Sequence, residues 1–84
     1  MREIADYTFR YCESITEVKI PDTVEVIGNY AFENCSGLTK VEVPGSVYKI
    51  GRDVFKKCQE VVIVTPNNSY AANYASENNL VVRN

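Results

Sequence analysis

The chain has 84 residues, of which 45% are hydrophobic and 24% charged, with a net charge of -2. That length holds one small domain burying only about 60% of its unfolded surface, and the composition is that of a folded chain, which excludes the disordered class. Nine lysines and arginines, scattered rather than striped, exclude a strong grip on a phosphate backbone, so nucleic acid is not an expected partner.

No apolar run reaches the roughly 18 residues of a membrane span, so membrane insertion is not expected. The opening MREIADY lacks the apolar core of a signal peptide, so any secretion signal is expected in sequence upstream of it. The next element is IADYTFRYC at residues 4–12, and it returns as IGNYAFENC at 27–35 and as IGRDVFKKC at 50–58. Phe9, Phe32 and Phe55 are 23 residues apart, as are Cys12, Cys35 and Cys58. Ile4, Ile27 and Ile50 keep the interval, as do Ile15, Leu38 and Val61, and then Val18, Val41 and Val64. Pro21 and Pro44, Val24 and Val47, and Gly28 and Gly51 share it, the glycines being read as turn residues. A period of 23 within 84 residues predicts a solenoid in which each unit coils once and stacks on the next.

Within a unit, LTKVEVP at residues 38–44 turns Leu38, Val41 and Val43 inward, and its alternating end reads as a short strand stopped by proline. SVYKIG supplies Val47 and Ile50 as the next inward pair. RDVFKKC spaces Phe55 and Cys58 by three, as one short helical turn would on its buried side. A shift of 23 pairs Glu17 with Lys40 and Lys19 with Glu42 on adjacent parallel strands, and it makes Ile63 and Thr65 the outward residues of the third rung. The tail leaves the repeat: a turn at 66–68, an alanine-rich helix over 69–78 capped by Asn68 or Ser69, and a strand at 80–82.

The recurring cysteines are expected to stack as an interior ladder about 5 Å from rung to rung, packing as small hydrophobes. One thiol per coil in a chain without histidine cannot make a four-ligand zinc site, and no cofactor is expected. The absence of histidine also removes the usual general base and both the Ser-His-Asp and Cys-His arrangements. Carboxylate pairs such as Asp22 with Glu25 or Asp6 with Glu3 read as solvated surface, and no catalytic residue is expected. Of the six tyrosines, Tyr7 and Tyr30 share a repeat position and should stack along one edge, and exposed tyrosine suits contact.

The stretch IPDTVEVIGNYAFENCSGLTKVEVP fits the frame I-P-x-x-V-x-x-I-G-x-x-A-F-x-x-C-x-x-L-x-x-V-x-[IV]-P, and so resembles the BspA-type leucine-rich repeat of surface proteins in bacteria and some protists. Ala5 and Thr8 depart from the frame in the first unit, and Val54 departs in the third. The resemblance implies an α/β repeat solenoid: a right-handed coil of short parallel strands and short helical turns. Residues 1–65 are expected to hold about 2.5 units and 66–84 a capping helix and strand. Phe9, Phe32, Phe55, Cys12, Cys35 and Cys58 would form the core ladder.

The resemblance further implies a non-enzymatic, cell-surface or secreted protein-binding module, with Glu17, Lys19, Lys40, Glu42 and Tyr48 as the candidate partner-binding surface. The alternative is a structural spacer without a ligand of its own. Because the chain opens mid-unit at Arg2, it reads as a fragment of a longer array, with self-association expected through an uncovered first coil.

Overall fold

The computed structural model describes residues 2–58 and 60–83. The chain winds through three coils, each contributing one strand to each of two parallel sheets. β1 (Glu3–Ile4), β3 (Val26–Ile27) and β5 (Lys49–Ile50) form the first sheet. β2 (Glu17–Lys19), β4 (Lys40–Glu42), β6 (Val62–Val64) and, after helix α1 (Tyr70–Glu77), β7 (Val81–Arg83) form the second. The first sheet has no counterpart among the strands read from sequence, because two-residue strands are too short to show a period-2 alternation. Between the sheets lies the core, where Val24, Ile27, Phe32, Leu38, Val41 and Val54 are fully buried.

The expected pairing of Glu17 with Lys40 and Lys19 with Glu42 is the register of β2 on β4. The third rung differs. Lys40 opposes Val62, Val41 opposes Ile63 and Glu42 opposes Val64, an offset of 22 rather than 23. The inward residues Leu38 and Val41 are three apart, whereas their counterparts Val61 and Ile63 are two apart. Losing one residue flips every following side chain to the other face. Ile63 and Thr65 are therefore buried, and Val62 and Val64 face outward in their place.

The segments carrying the phenylalanines bury Phe32 and Cys35, and Phe55 and Cys58, on one side, as a spacing of three predicts. They do so with linked turns rather than a helix. Left-handed residues fall at Tyr7, Tyr30 and Asp53 and again at Tyr11, Asn34 and Lys57, so the chain reverses its sense twice around each phenylalanine. Alternate amides then reach the next coil: Phe9 donates to the Ala31 carbonyl at 2.8 Å, and Phe32 to the Val54 carbonyl at 3.0 Å. A helix would have used those amides internally.

Gly28 and Gly51 have negative φ, so a turn does not explain them. Each lies under an Asx residue of the preceding coil, whose side-chain oxygen accepts from the next backbone amide: Asp6 from Asn29 and Asn29 from Arg52, both at 2.7 Å. A Cβ on Gly28 would meet Asp6 Oδ1 and come within 2.6 Å of the Asp6 amide, and one on Gly51 would meet Asn29 Oδ1 and come within 2.7 Å of the Asn29 amide. Ala5 holds the equivalent place in the first coil, where no described coil overlies it.

Helix α1 packs against the last coil with Ala71 and Ala75 buried. Ser69 caps it, accepting from the Ala72 amide at 3.1 Å, and its hydroxyl lies 2.8 Å from that of Thr65. Asn79, in the left-handed conformation, turns the chain out of the helix into β7. Tyr74 reaches back from α1, its hydroxyl accepting from the Val54 amide at 3.3 Å.

The glycine geometry makes a direct prediction. Gly51→Ala should cost about 1–3 kcal/mol of unfolding free energy because a backbone amide cannot rotate aside. Gly45→Ala should be near neutral, since its Cβ would meet only Pro66 Cγ at 3.9 Å. Urea unfolding of the two variants against the parent chain measures the difference.

Candidate functional site

The outer face of the second sheet collects four of the five expected surface residues. Parallel strands set one repeat apart stack like positions in columns, so Glu17, Lys40, Val62 and Val81 form one outward column and Lys19, Glu42, Val64 and Arg83 the other. Charges alternate in sign over the first two rungs, then give way to valines. Val81 is 57% exposed, while Val62 and Val64 are half-buried. Two shallow depressions flank this surface. One, of about 440 Å³, is lined by Glu17, Thr39, Lys40, Val62, Val64 and Arg83. The other, of about 300 Å³, includes Lys19, Asp22, Glu42, Pro44 and Pro66.

Among the described residues no ion pair joins Glu17 to Lys40 or Lys19 to Glu42. Lys40 instead approaches Glu42 along its own strand at 3.9 Å, and both side chains remain more than 40% exposed. Exposed pairs of this kind contribute little to stability, so the charges stay available to a partner. Tyr48, 61% exposed, stands beside β5 in the other sheet, outside this face. Sequence reasoning missed Val62, Val64 and Arg83. The signal was the spacing of Pro44 and Pro66, which is 22 where Pro21 to Pro44 is 23.

A second exposed surface follows the turns. Tyr7 and Tyr30 stack at 5.2 Å with their planes 5° apart. The Arg10 guanidinium lies over Tyr7 at 5.2 Å and over Tyr11 at 4.8 Å. Arg10 Nε also sits 2.7 Å from Glu33 Oε1, close enough for an ion pair but out of line for a hydrogen bond. Arg10 is thus held among two rings and a buried carboxylate rather than presented freely. Elsewhere, Asp6 is committed to the Asn29 amide and Glu25 to Arg2 at 2.6 Å, which accounts for two of the carboxylates considered for chemistry.

The inner ladder is continuous. Phe9, Phe32 and Phe55 stack at 5.2 and 5.6 Å, with Phe9 and Cys12 only half-buried on the first coil. All three cysteines are free thiols. Cys35 Sγ donates to the Phe9 carbonyl and Cys58 Sγ to the Phe32 carbonyl, each at 3.0 Å. A cysteine at this position therefore fills a small apolar space and supplies a donor to the coil before it. Burial raises the Cys35 thiol above its ordinary value and pushes Cys58 up to about 11. Both are held as unreactive thiols.

A family model described as "BspA type Leucine rich repeat region (6 copies)" matches residues 2–79. No curated protein and no solved structure matches the chain. No helix among the described residues is long and apolar enough to cross a membrane.

The thiols generate a pH prediction. A group whose folded value is raised stabilises the fold fully below its unfolded value, and that contribution is lost as pH climbs through the folded one. For Cys58 the loss runs from the ordinary thiol range to about pH 11. The thermal midpoint of the parent chain should fall more steeply over that window than that of Cys58→Ala. Tyr74, also raised by burial, adds a slope of the same sign that both chains retain. In the native state at about pH 8 a thiol reagent should modify Cys12 first, with Cys35 and Cys58 reacting only on unfolding.

Proposed function

Because the chain belongs to the BspA-type leucine-rich repeat family, we propose that it is a non-enzymatic protein-interaction module of a larger cell-surface or secreted protein. It binds another protein or a host surface component through the outer face of β2, β4, β6 and β7. One observation carries this reading: Glu17, Lys19, Lys40 and Glu42 border an outward valine group at Val62, Val64 and Val81. Protein interfaces combine apolar and polar surface, and here the charged rungs adjoin one side of the valine group. Stacked parallel strands present that surface on a nearly rigid support, so little ordering entropy opposes binding.

Tyr48, exposed beside the other sheet, would serve as a separate contact bringing large area with few rotatable bonds. Residues 66–84 serve as the cap of the repeat units in 1–65, keeping the last coil covered while the sheet face stays open. The family resemblance supports the surface or secreted setting, and leucine-rich repeats of this kind are generally non-enzymatic.

The test is a display library of extracellular protein domains panned against the full chain, with each selected binder measured again on variants. Lys40→Ala, Glu42→Ala and Val62→Ser should each weaken binding about tenfold while leaving the thermal midpoint within a degree or two. Unchanged binding by all three would remove the site from this sheet. A library that yields no binder at all would favour the spacer reading.

A further inference from the structure

The turn of the third coil presents a row of backbone amides that the helix packed against it does not use. In the first two coils, alternate amides of this turn donate to the coil that follows. Tyr7, Phe9 and Tyr11 donate to the carbonyls of Asn29, Ala31 and Glu33, and Tyr30, Phe32 and Asn34 to those of Arg52, Val54 and Lys56, all between 2.8 and 3.0 Å. The carbonyls of Arg52, Val54 and Lys56 thus point back to the second coil, and a planar trans peptide sends the next amide the opposite way. The amides of Asp53, Phe55 and Lys57 therefore point to the side where α1 packs. Among the described residues none accepts from them.

In the order of the coils a fourth turn would precede β7, and α1 with residues 78–80 occupies that place. A helix spends its carbonyls internally, so α1 offers no matching row. It satisfies one amide of the turn, that of Val54, through the Tyr74 hydroxyl at 3.3 Å. Between turn and helix lies a cleft of about 170 Å³, lined by Asp53, Phe55, Lys56, Tyr74, Asn78 and Leu80. Phe55 is only 6% exposed, and a covered amide without an acceptor is unfavourable. The Tyr74 hydroxyl, accepting from Val54, keeps its own proton to donate. In a chain of net charge -2, this turn carries the exposed cations Arg52, Lys56 and Lys57 against a single acid, Asp53.

We propose that this cleft binds a carboxylate group, its oxygens accepting from the row of amides centred on Phe55, with Lys56 supplying the counter-charge. A space of about 170 Å³ takes a carboxylate and a few waters rather than an extended chain. Asp53 sets the charge class: its side chain lines the same cleft, so a dianion such as sulfate is opposed more strongly than a monoanion. The neighbouring depression of about 330 Å³ includes Cys58, Glu60 and Asn79, an acid without a lysine, and none of the three residues of the row. The cleft shares no lining residue with the outer face of the second sheet, so it binds or fails independently of any partner on that face.

The experiment is a nitrogen-15 NMR titration of the full chain with sodium acetate, and with sodium chloride and sodium sulfate at matched ionic strength, following the amides of Asp53, Phe55 and Lys57. It is repeated for Lys56→Gln and Asp53→Asn, with circular dichroism to verify folding; asparagine suits the left-handed conformation at position 53. Acetate should move the three amides along one saturating curve in the millimolar range, and chloride should not. Lys56→Gln should weaken acetate binding about threefold and Asp53→Asn should tighten it about threefold. Glutamate blocked at both ends is titrated alongside. Tighter binding than acetate supports a protein side chain as the source of the carboxylate, and weaker binding supports a small free acid.

Amides that stay in place in acetate, equal shifts in chloride, tighter binding of sulfate than of acetate by the parent chain, or unchanged acetate binding in Lys56→Gln would each overturn the proposal.

Discussion

A solenoid coil can bond to the next only if matching residues return to matching places after one turn, and the coil length of 23 residues does this here. Parallel hydrogen bonds link the strands, and further bonds such as Phe32 to Val54 link the turns, so nearly the whole circumference is tied coil to coil. Once that spacing is set, the other repeated residues follow from it. Asx residues reach down one coil to an amide, glycines make room for them, phenylalanines stack at 5.2 and 5.6 Å, and thiols reach back to carbonyls.

The spacing has a conformational cost. Tyr7, Tyr11, Tyr30, Asn34, Asp53 and Lys57 all sit in the left-handed region, where a non-glycine residue loses about 1–2 kcal/mol. The arrangement is retained because each such turn frees an amide for the neighbouring coil and brings like side chains into register. The Tyr7 and Tyr30 rings stack for that reason. Asparagine and aspartate, at two of the six places, are among the residues that tolerate this conformation best.

A single departure from the period gives the outer face its mixed character. With 22 residues between β4 and β6, the valines of the third rung face outward and continue into Val81. A third coil of 23 would have placed Ile63 and Thr65 there. The same sheet therefore carries charge at one end and exposed aliphatic surface at the other, while its opposite side remains a close-packed core. Asp6 is engaged with a backbone amide, Glu25 and Glu33 lie against arginines, and burial raises the Cys58 thiol.

Much of this was legible in the residues themselves. The interval of 23 determined the solenoid, the inward positions from Ile4 to Cys58, the β2 to β4 register and, through the loss of repeat after Pro66, a terminal helix. These depend on local pattern, which a linear chain displays directly. The two-residue strands of the first sheet, the left-handed turns in place of a helical one and the outward turn of Val62 and Val64 were decided only in three dimensions. Each depends on where the preceding coil presents a carbonyl, an amide or a side chain. A glycine at 28 or 51 looks like a turn in sequence and proves to be clearance for a neighbour, because contact between coils is a property of stacking that no single repeat contains.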